Sequence, residues 1–198
     1  MTNRSPAAGD TVRAFLAFDI PASLKRRLGT AVGRVRGKLP PARWVRMDGL
    51  HLTVKFLGEV PASRLDCLAA GLRPALAGLG TVTVTLAGTG FFPSRSRPRV
   101  AWIGGKADGA EAVVPVVEDV SRDCGWERET RPWSLHLTLA RLKAPWRSES
   151  VDRFLAWGEE LALEPFACDR LVLFSSRLGP GGARYTPLDD FPLARAGG

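Results

Sequence analysis

Two eight-residue stretches, Leu50-His-Leu-Thr-Val-Lys-Phe-Leu57 and Leu135-His-Leu-Thr-Leu-Ala-Arg-Leu142, agree at their first four positions and at the eighth. They hold the only two histidines of the 198-residue chain, 85 positions apart, His51 and His136. Threonine is 11 of 198 residues, so chance puts one two places after a given histidine about one time in 18, and after both about one time in 300. Alternation of apolar and polar residues marks each stretch as a strand, and on a strand residues i and i+2 share a face. His51 therefore projects with Thr53 and His136 with Thr138, each pair opposite an aliphatic face. A chain that repeats such a strand at this distance is expected to fold as two similar lobes rather than as a solenoid.

The pattern around the two strands is mixed. Arg13–Ile20, Thr81–Phe91, Arg99–Ile103, Cys168–Ser175 and Arg184–Leu193 read as further strands, and Pro21–Lys38, Ser63–Leu79, Ala110–Cys124 and Ser150–Leu161 as helices. Pro74 is expected to kink or shorten the second helix. Only a turn-rich loop parts Thr81–Phe91 from Arg99–Ile103, so these two can pair antiparallel. The reading is an α+β fold rather than a doubly wound parallel sheet. Residues 11–198 form this one two-lobed unit. The polar stretch 1–10 has no apolar signal core and reads as a disordered lead.

Composition narrows the chemistry. No apolar run approaches the ~18 residues of a membrane span. Cys67, Cys124 and Cys168 are an odd count without a CxxC, which argues against a disulfide framework and leaves them as buried hydrophobes. Two histidines without accompanying ligands argue against a metal site. The net charge of +8 comes from 28 basic residues, 23 of them arginine. Arginine forks pair with phosphate, although a GC-rich genome yields the same bias.

A lone strand histidine is ordinarily a half-buried, hydrogen-bonded residue. Two in duplicate frames suit paired acid and base catalysis near neutral pH, where imidazole titrates. Displacement at phosphorus fits: one imidazole takes a proton from water and the other gives one to the leaving oxygen, while Thr53 and Thr138 donate to the non-bridging oxygens. Lys55, four positions after His51, falls on the same face by alternation and is a candidate phosphate ligand. Arg141, five positions after His136, falls on the opposite face unless the strand bulges. Arg43 and the loop of Arg95, Arg97 and Arg99 are candidates to track a phosphate backbone. Trp44 and Trp102 are candidates to stack on a base.

These motifs resemble those of the 2H phosphoesterase superfamily, named for two His-x-Thr-x motifs. Arg13-Ala-Phe-Leu-Ala-Phe, Arg43-Trp44-Val45, His51 to Gly58, Arg97-Pro-Arg-Val-Ala-Trp102 and His136 to Arg141 are most similar to its RNA 2′,3′-cyclic phosphodiesterase branch, also called 2′-5′ RNA ligase-like. The resemblance implies two pseudo-symmetric lobes of mainly antiparallel sheet, with outer helices, around a central cleft, and metal-independent, cofactor-free hydrolysis of RNA 2′,3′-cyclic phosphate ends to 2′-phosphomonoesters. His51 would be the proton donor and His136 the proton acceptor. The protein would act as a monomer in the cytoplasm, away from membranes. Alternatives are the same site working on small nucleoside cyclic phosphates or in 2′-5′ ligation, and a non-catalytic RNA-binding module. Two retained proton-transfer groups disfavour the last.

Overall fold

The structure, a computed structural model, describes residues 11–179 and 182–194; the polar lead 1–10 lies outside the described residues. In chain order the elements are β1 (Thr11–Asp19), α1 (Ala22–Arg36), β2 (Ala42–Trp44), a 3-10 turn (Met47–Gly49), β3 (His51–Pro61), α2 (Ala62–Leu76), β4 (Val82–Ser94), β5 (Arg97–Asp108), α3 (Ala110–Asp123), β6 (Leu137–Leu142), α4 (Ser148–Glu159), β7 (Phe166–Cys168), β8 (Arg170–Gly179) and β9 (Gly182–Pro192). Two sheets form, ordered β3-β1-β8-β9 and β2-β6-β5-β4-β7, and every pairing within them is antiparallel. This is the α+β class read from the pattern.

The strand orders explain the internal echo. In the first half, β1 pairs with β3 and α1 connects them; in the second, β5 pairs with β6 and α3 connects them. A helix follows each motif strand, α2 after β3 and α4 after β6. The strand that continues from α2, β4, joins the second sheet beside β5, and β8, which follows α4 and the short β7, joins the first beside β1. Each sheet thus completes itself with a strand from the other half. The runs 3-1-8-9 and 6-5-4-7 are equivalent, and β2 is an extra edge beside β6.

β1 has a neighbour at each edge, α1 over one face and the rings of Phe174 and Tyr185 against Phe15 on the other, so Ala14 to Phe18 are all buried, despite their alternating look in sequence. Leu16 and Phe18 join the apolar core with Leu24, Leu28 and Val32 of α1, while Phe15 faces the other way. Pro74 stands in the last turn of α2, which ends at Leu76, three residues short of the expected end. The helix α2 packs on α3 so closely that a Cβ on Gly71 would lie 2.7 Å from Val120 Cγ1.

The cysteine expectation is corrected here. Cys67 of α2 and Cys124, just past α3, form a disulfide with an S–S distance of 2.11 Å. An odd cysteine count says nothing about which two residues the packing of α2 on α3 brings together. Cys168 is the free, buried one, and burial pushes its thiol up to about 12.

Candidate active site

Both motifs carry the same local device. His51 opens β3 and its Nδ1 lies 2.7 Å from Gly49 O; His136 directly precedes β6 and its Nδ1 lies 2.9 Å from Ser134 O. Each imidazole is thus anchored to the carbonyl two residues before it. A carbonyl oxygen only accepts, so Nδ1 carries the hydrogen, and in the neutral ring Nε2 holds the free lone pair. Neither Nε2 is bonded to another described residue. The Thr53 and Thr138 hydroxyls are likewise half-buried and without a partner among the described residues. Two imidazole nitrogens and two hydroxyls are therefore left for a ligand.

Aromatic side chains wall each histidine. His51 packs against Phe15 at 4.5 Å and edge-on to Tyr185 at 4.7 Å, with Phe174 at 6.1 Å. His136 meets Phe92 edge-on at 5.1 Å, and Phe92 rests on Trp102 at 5.3 Å. Burial in this setting lowers the pKa of His51; the Gly49 carbonyl opposes the shift, and nearby Lys25 and Asp19 act in opposite senses. Lys25 and Asp19 are themselves paired at 2.8 Å. Nothing in the motif pattern pointed to Phe15, Phe92, Phe174 or Tyr185, because they come from strands far away in sequence.

Both motif strands bulge at the fourth motif position. Between β1 and β3 the register steps from Leu16↔Lys55 to Ala17↔Thr53, which leaves Val54 extra; between β5 and β6 it steps from Ala101↔Ala140 to Trp102↔Thr138, which leaves Leu139 extra. A bulge reverses the alternation beyond it. This corrects the placement of Lys55. It does not share the face of His51 and Thr53 but is turned inward, 7% exposed, with Nζ 2.6 Å from Glu118 Oε2. Phe56 takes the outward position and is 69% exposed. In the second strand the same step brings Arg141 onto the face of Thr138, where strict alternation would have excluded it.

Arg43 of β2 stands directly opposite Arg141. Both are exposed, and neither guanidinium has an ion-pair partner among the described residues. Like charges placed opposite each other destabilise a sheet unless an anion lies between them. Trp44 pairs with Ala140 and packs against the core, so the stacking expected of it is corrected: its ring is on the other face of the sheet. Trp102, opposite Thr138, is on the motif face. Arg95 is paired with Asp152, and Arg97 and Arg99 are exposed at the start of β5, just before Val100, which pairs with Arg141.

The approach to the second motif is tied to the first. Trp133 Nε1, three residues before His136, donates to Thr53 O at 2.9 Å. The second motif is therefore hydrogen-bonded through its approach segment to the backbone of the first. Among the described residues no three histidine, cysteine or carboxylate side chains are grouped as a metal site needs, and no helix is long and apolar enough to cross a membrane.

The profile of the family described as LigT like Phosphoesterase matches residues 18–102 and 105–185. The chain belongs to this family. An RNA 2′,3′-cyclic phosphodiesterase of Thermus thermophilus is 37% identical over 195 residues, covering 92% of this chain and 90% of that protein. One of Geobacillus stearothermophilus is 28% identical over 188 residues, and the chain spans only 57% of its length. Among solved structures, one from Thermus thermophilus superposes with a TM-score of 0.74 at 26% identity, covering 93% of this chain and all of that one. LigT of E. coli, solved with 3′-AMP, gives 0.68 at 28% identity, covering 93% and 99%. The resemblance to 2H phosphoesterases read from the paired motifs is borne out.

Proposed function

We propose that the protein hydrolyses 2′,3′-cyclic phosphate ends of RNA to 2′-phosphomonoesters, with His136 as base and His51 as acid. Family membership and the names of its relatives support cyclic phosphodiesterase activity. The observation that carries the mechanism is the duplicated anchoring of both imidazoles, which leaves two free Nε2 atoms in two lobes tied together at Thr53 and Trp133.

Neutral His136 Nε2 takes a proton from water as the water oxygen attacks phosphorus. The bond from phosphorus to the 3′-oxygen breaks on the opposite side, and protonated His51 gives its Nε2 proton to that oxygen. The phosphate remains on the 2′-oxygen, and the two histidines end with their protons exchanged, to be reset from solvent. Thr53 and Thr138 donate to the non-bridging oxygens, and Arg141, with Arg43 opposite it, offsets the charge that grows there. The assignment of donor and acceptor rests on the family resemblance. The reaction is proposed to need no metal, and the protein to act as a cytoplasmic monomer.

EDTA-treated protein is assayed with an oligonucleotide ending in a 2′,3′-cyclic phosphate. The expected result is full turnover, lowered about 10²–10⁴-fold in His51→Ala and in His136→Ala. Tight RNA binding without any phosphomonoester product would contradict the proposal, as would full activity in either variant.

A further inference from the structure

The backbone of the second-motif histidine is not paired into its own sheet, although its ring meets Phe92 of β4. The β5–β6 ladder begins at Leu137, so the place of His136 depends on residues 124–136, which have no helix or strand. This segment runs beside β3, the edge strand of the other sheet. Three side-chain contacts fasten it there. Trp126 Nε1 donates to Leu57 O at 2.9 Å, Lys55 Nζ donates to Glu127 O at 2.9 Å, and Trp133 Nε1 donates to Thr53 O at 2.9 Å. Lys55 is also held by Glu118, whose Oε2 accepts from Glu129 N at 3.1 Å. The start of the segment is clasped by the Cys67–Cys124 disulfide, by Arg64 Nε donating to Cys124 O at 2.9 Å, and by the Arg64 guanidinium 4.1 Å over Trp126.

Strand edges are commonly shielded, but a shield does not require a buried ion pair. Lys55 and Glu118 are 7% and 9% exposed, and such a pair is a poor source of stability compared with apolar groups of the same size. Its contacts lead along β3 toward Thr53 and along the segment toward His136. In-line displacement fixes how far apart the two Nε2 atoms must be, and misplacement by about 1 Å costs roughly 10²-fold in rate.

We infer that residues 124–136 act as a gauge between the lobes, and that Lys55, Glu118 and Trp133 are positioning residues that set the spacing of His136 from His51. They touch no substrate; they act through the two motifs. The inference rests on the proposed two-histidine reaction.

The test uses two full-length variants, Trp133→Phe, which keeps a six-membered aromatic ring and removes the N–H with the rest of the indole, and the double variant Lys55→Met with Glu118→Leu, which replaces the ion pair by apolar side chains of similar size. Steady-state kinetics are measured on the cyclic-phosphate oligonucleotide, together with thermal unfolding. In both variants kcat is expected to fall by about ten-fold or more while KM stays within about two-fold. The double variant leaves no buried charge unpaired, and a cooperative thermal transition identifies it as folded, so it carries the test even if Trp133→Phe does not fold. A kcat within two-fold of the unaltered protein in the folded double variant would overturn the inference. So would a rise in KM as large as the fall in kcat, which would make these residues part of binding. No turnover by the unaltered protein would instead overturn the proposed reaction.

Discussion

Gly90 offers a way to disturb the His136 wall without touching the motif. It sits in β4 directly opposite Trp102, and a Cβ there would lie 2.3 Å from the indole Cζ2 and 2.4 Å from Cη2. Its φ is not positive, so alanine adds no backbone strain and the effect is purely one of space. Ordinary contact begins near 3.4 Å, so the indole must move by about 1.1 Å. It has little room, since Gly104 is also packed against it, with a built Cβ 2.9 Å from Cζ3. Overpacking of this kind costs about 1–3 kcal/mol. For a chain of this size that lowers Tm by roughly 2–4 °C per kcal/mol. Trp102 supports Phe92, and Phe92 supports His136, so part of the displacement reaches the imidazole. Gly90→Ala is expected to lose about 2 kcal/mol in urea unfolding and about ten-fold in kcat. Stability within about 0.5 kcal/mol together with unchanged kcat would refute the chain of contacts from Gly90 to His136.

The Cys67–Cys124 bridge closes 57 positions of chain, for which loop-closure entropy gives about 4 kcal/mol. Cys67→Ser with Cys124→Ser should lose stability of that order in denaturant unfolding, and an unchanged midpoint would count against the bridge. In a His136→Ala variant only His51 is left of the pair, and its pKa is held below the ordinary imidazole value by burial. A donor must be protonated, so the residual rate is expected to fall as pH rises through a value below 6.5; a rate that climbs instead would make His51 the acceptor. Arg43→Ala removes one of two facing guanidiniums and should raise KM and flatten its salt dependence; an unchanged KM at both low and high salt would take Arg43 out of the phosphate site.

Much of this architecture was legible in the sequence because its signals are local. The strand phase that puts His51 with Thr53 and His136 with Thr138 is a property of consecutive residues, and so are the spans of α1 and α3. The duplication announced two lobes. It could not announce that β4 and β8 cross over to complete each other's sheets, since that depends on pairings between distant strands. The bulges at Val54 and Leu139 were hidden for the same reason, because a bulge is a relation between two strands. Their consequences were opposite: Lys55, favoured by alternation, is buried against Glu118, while Arg141, disfavoured by it, stands beside Thr138. Trp133 lies outside both motifs, and the bond from its indole to Thr53 O is a contact between distant segments that no local pattern encodes. The disulfide depended on the approach of α2 to α3, which no cysteine spacing encodes.

The most direct test of the two-histidine reaction is the position of phosphate in the product of a defined RNA ending in a 2′,3′-cyclic phosphate, read by phosphorus NMR after complete turnover. Departure of the 3′-oxygen with a proton from His51 gives a 2′-phosphomonoester alone. A 3′-phosphomonoester, or a mixture of the two, would contradict it.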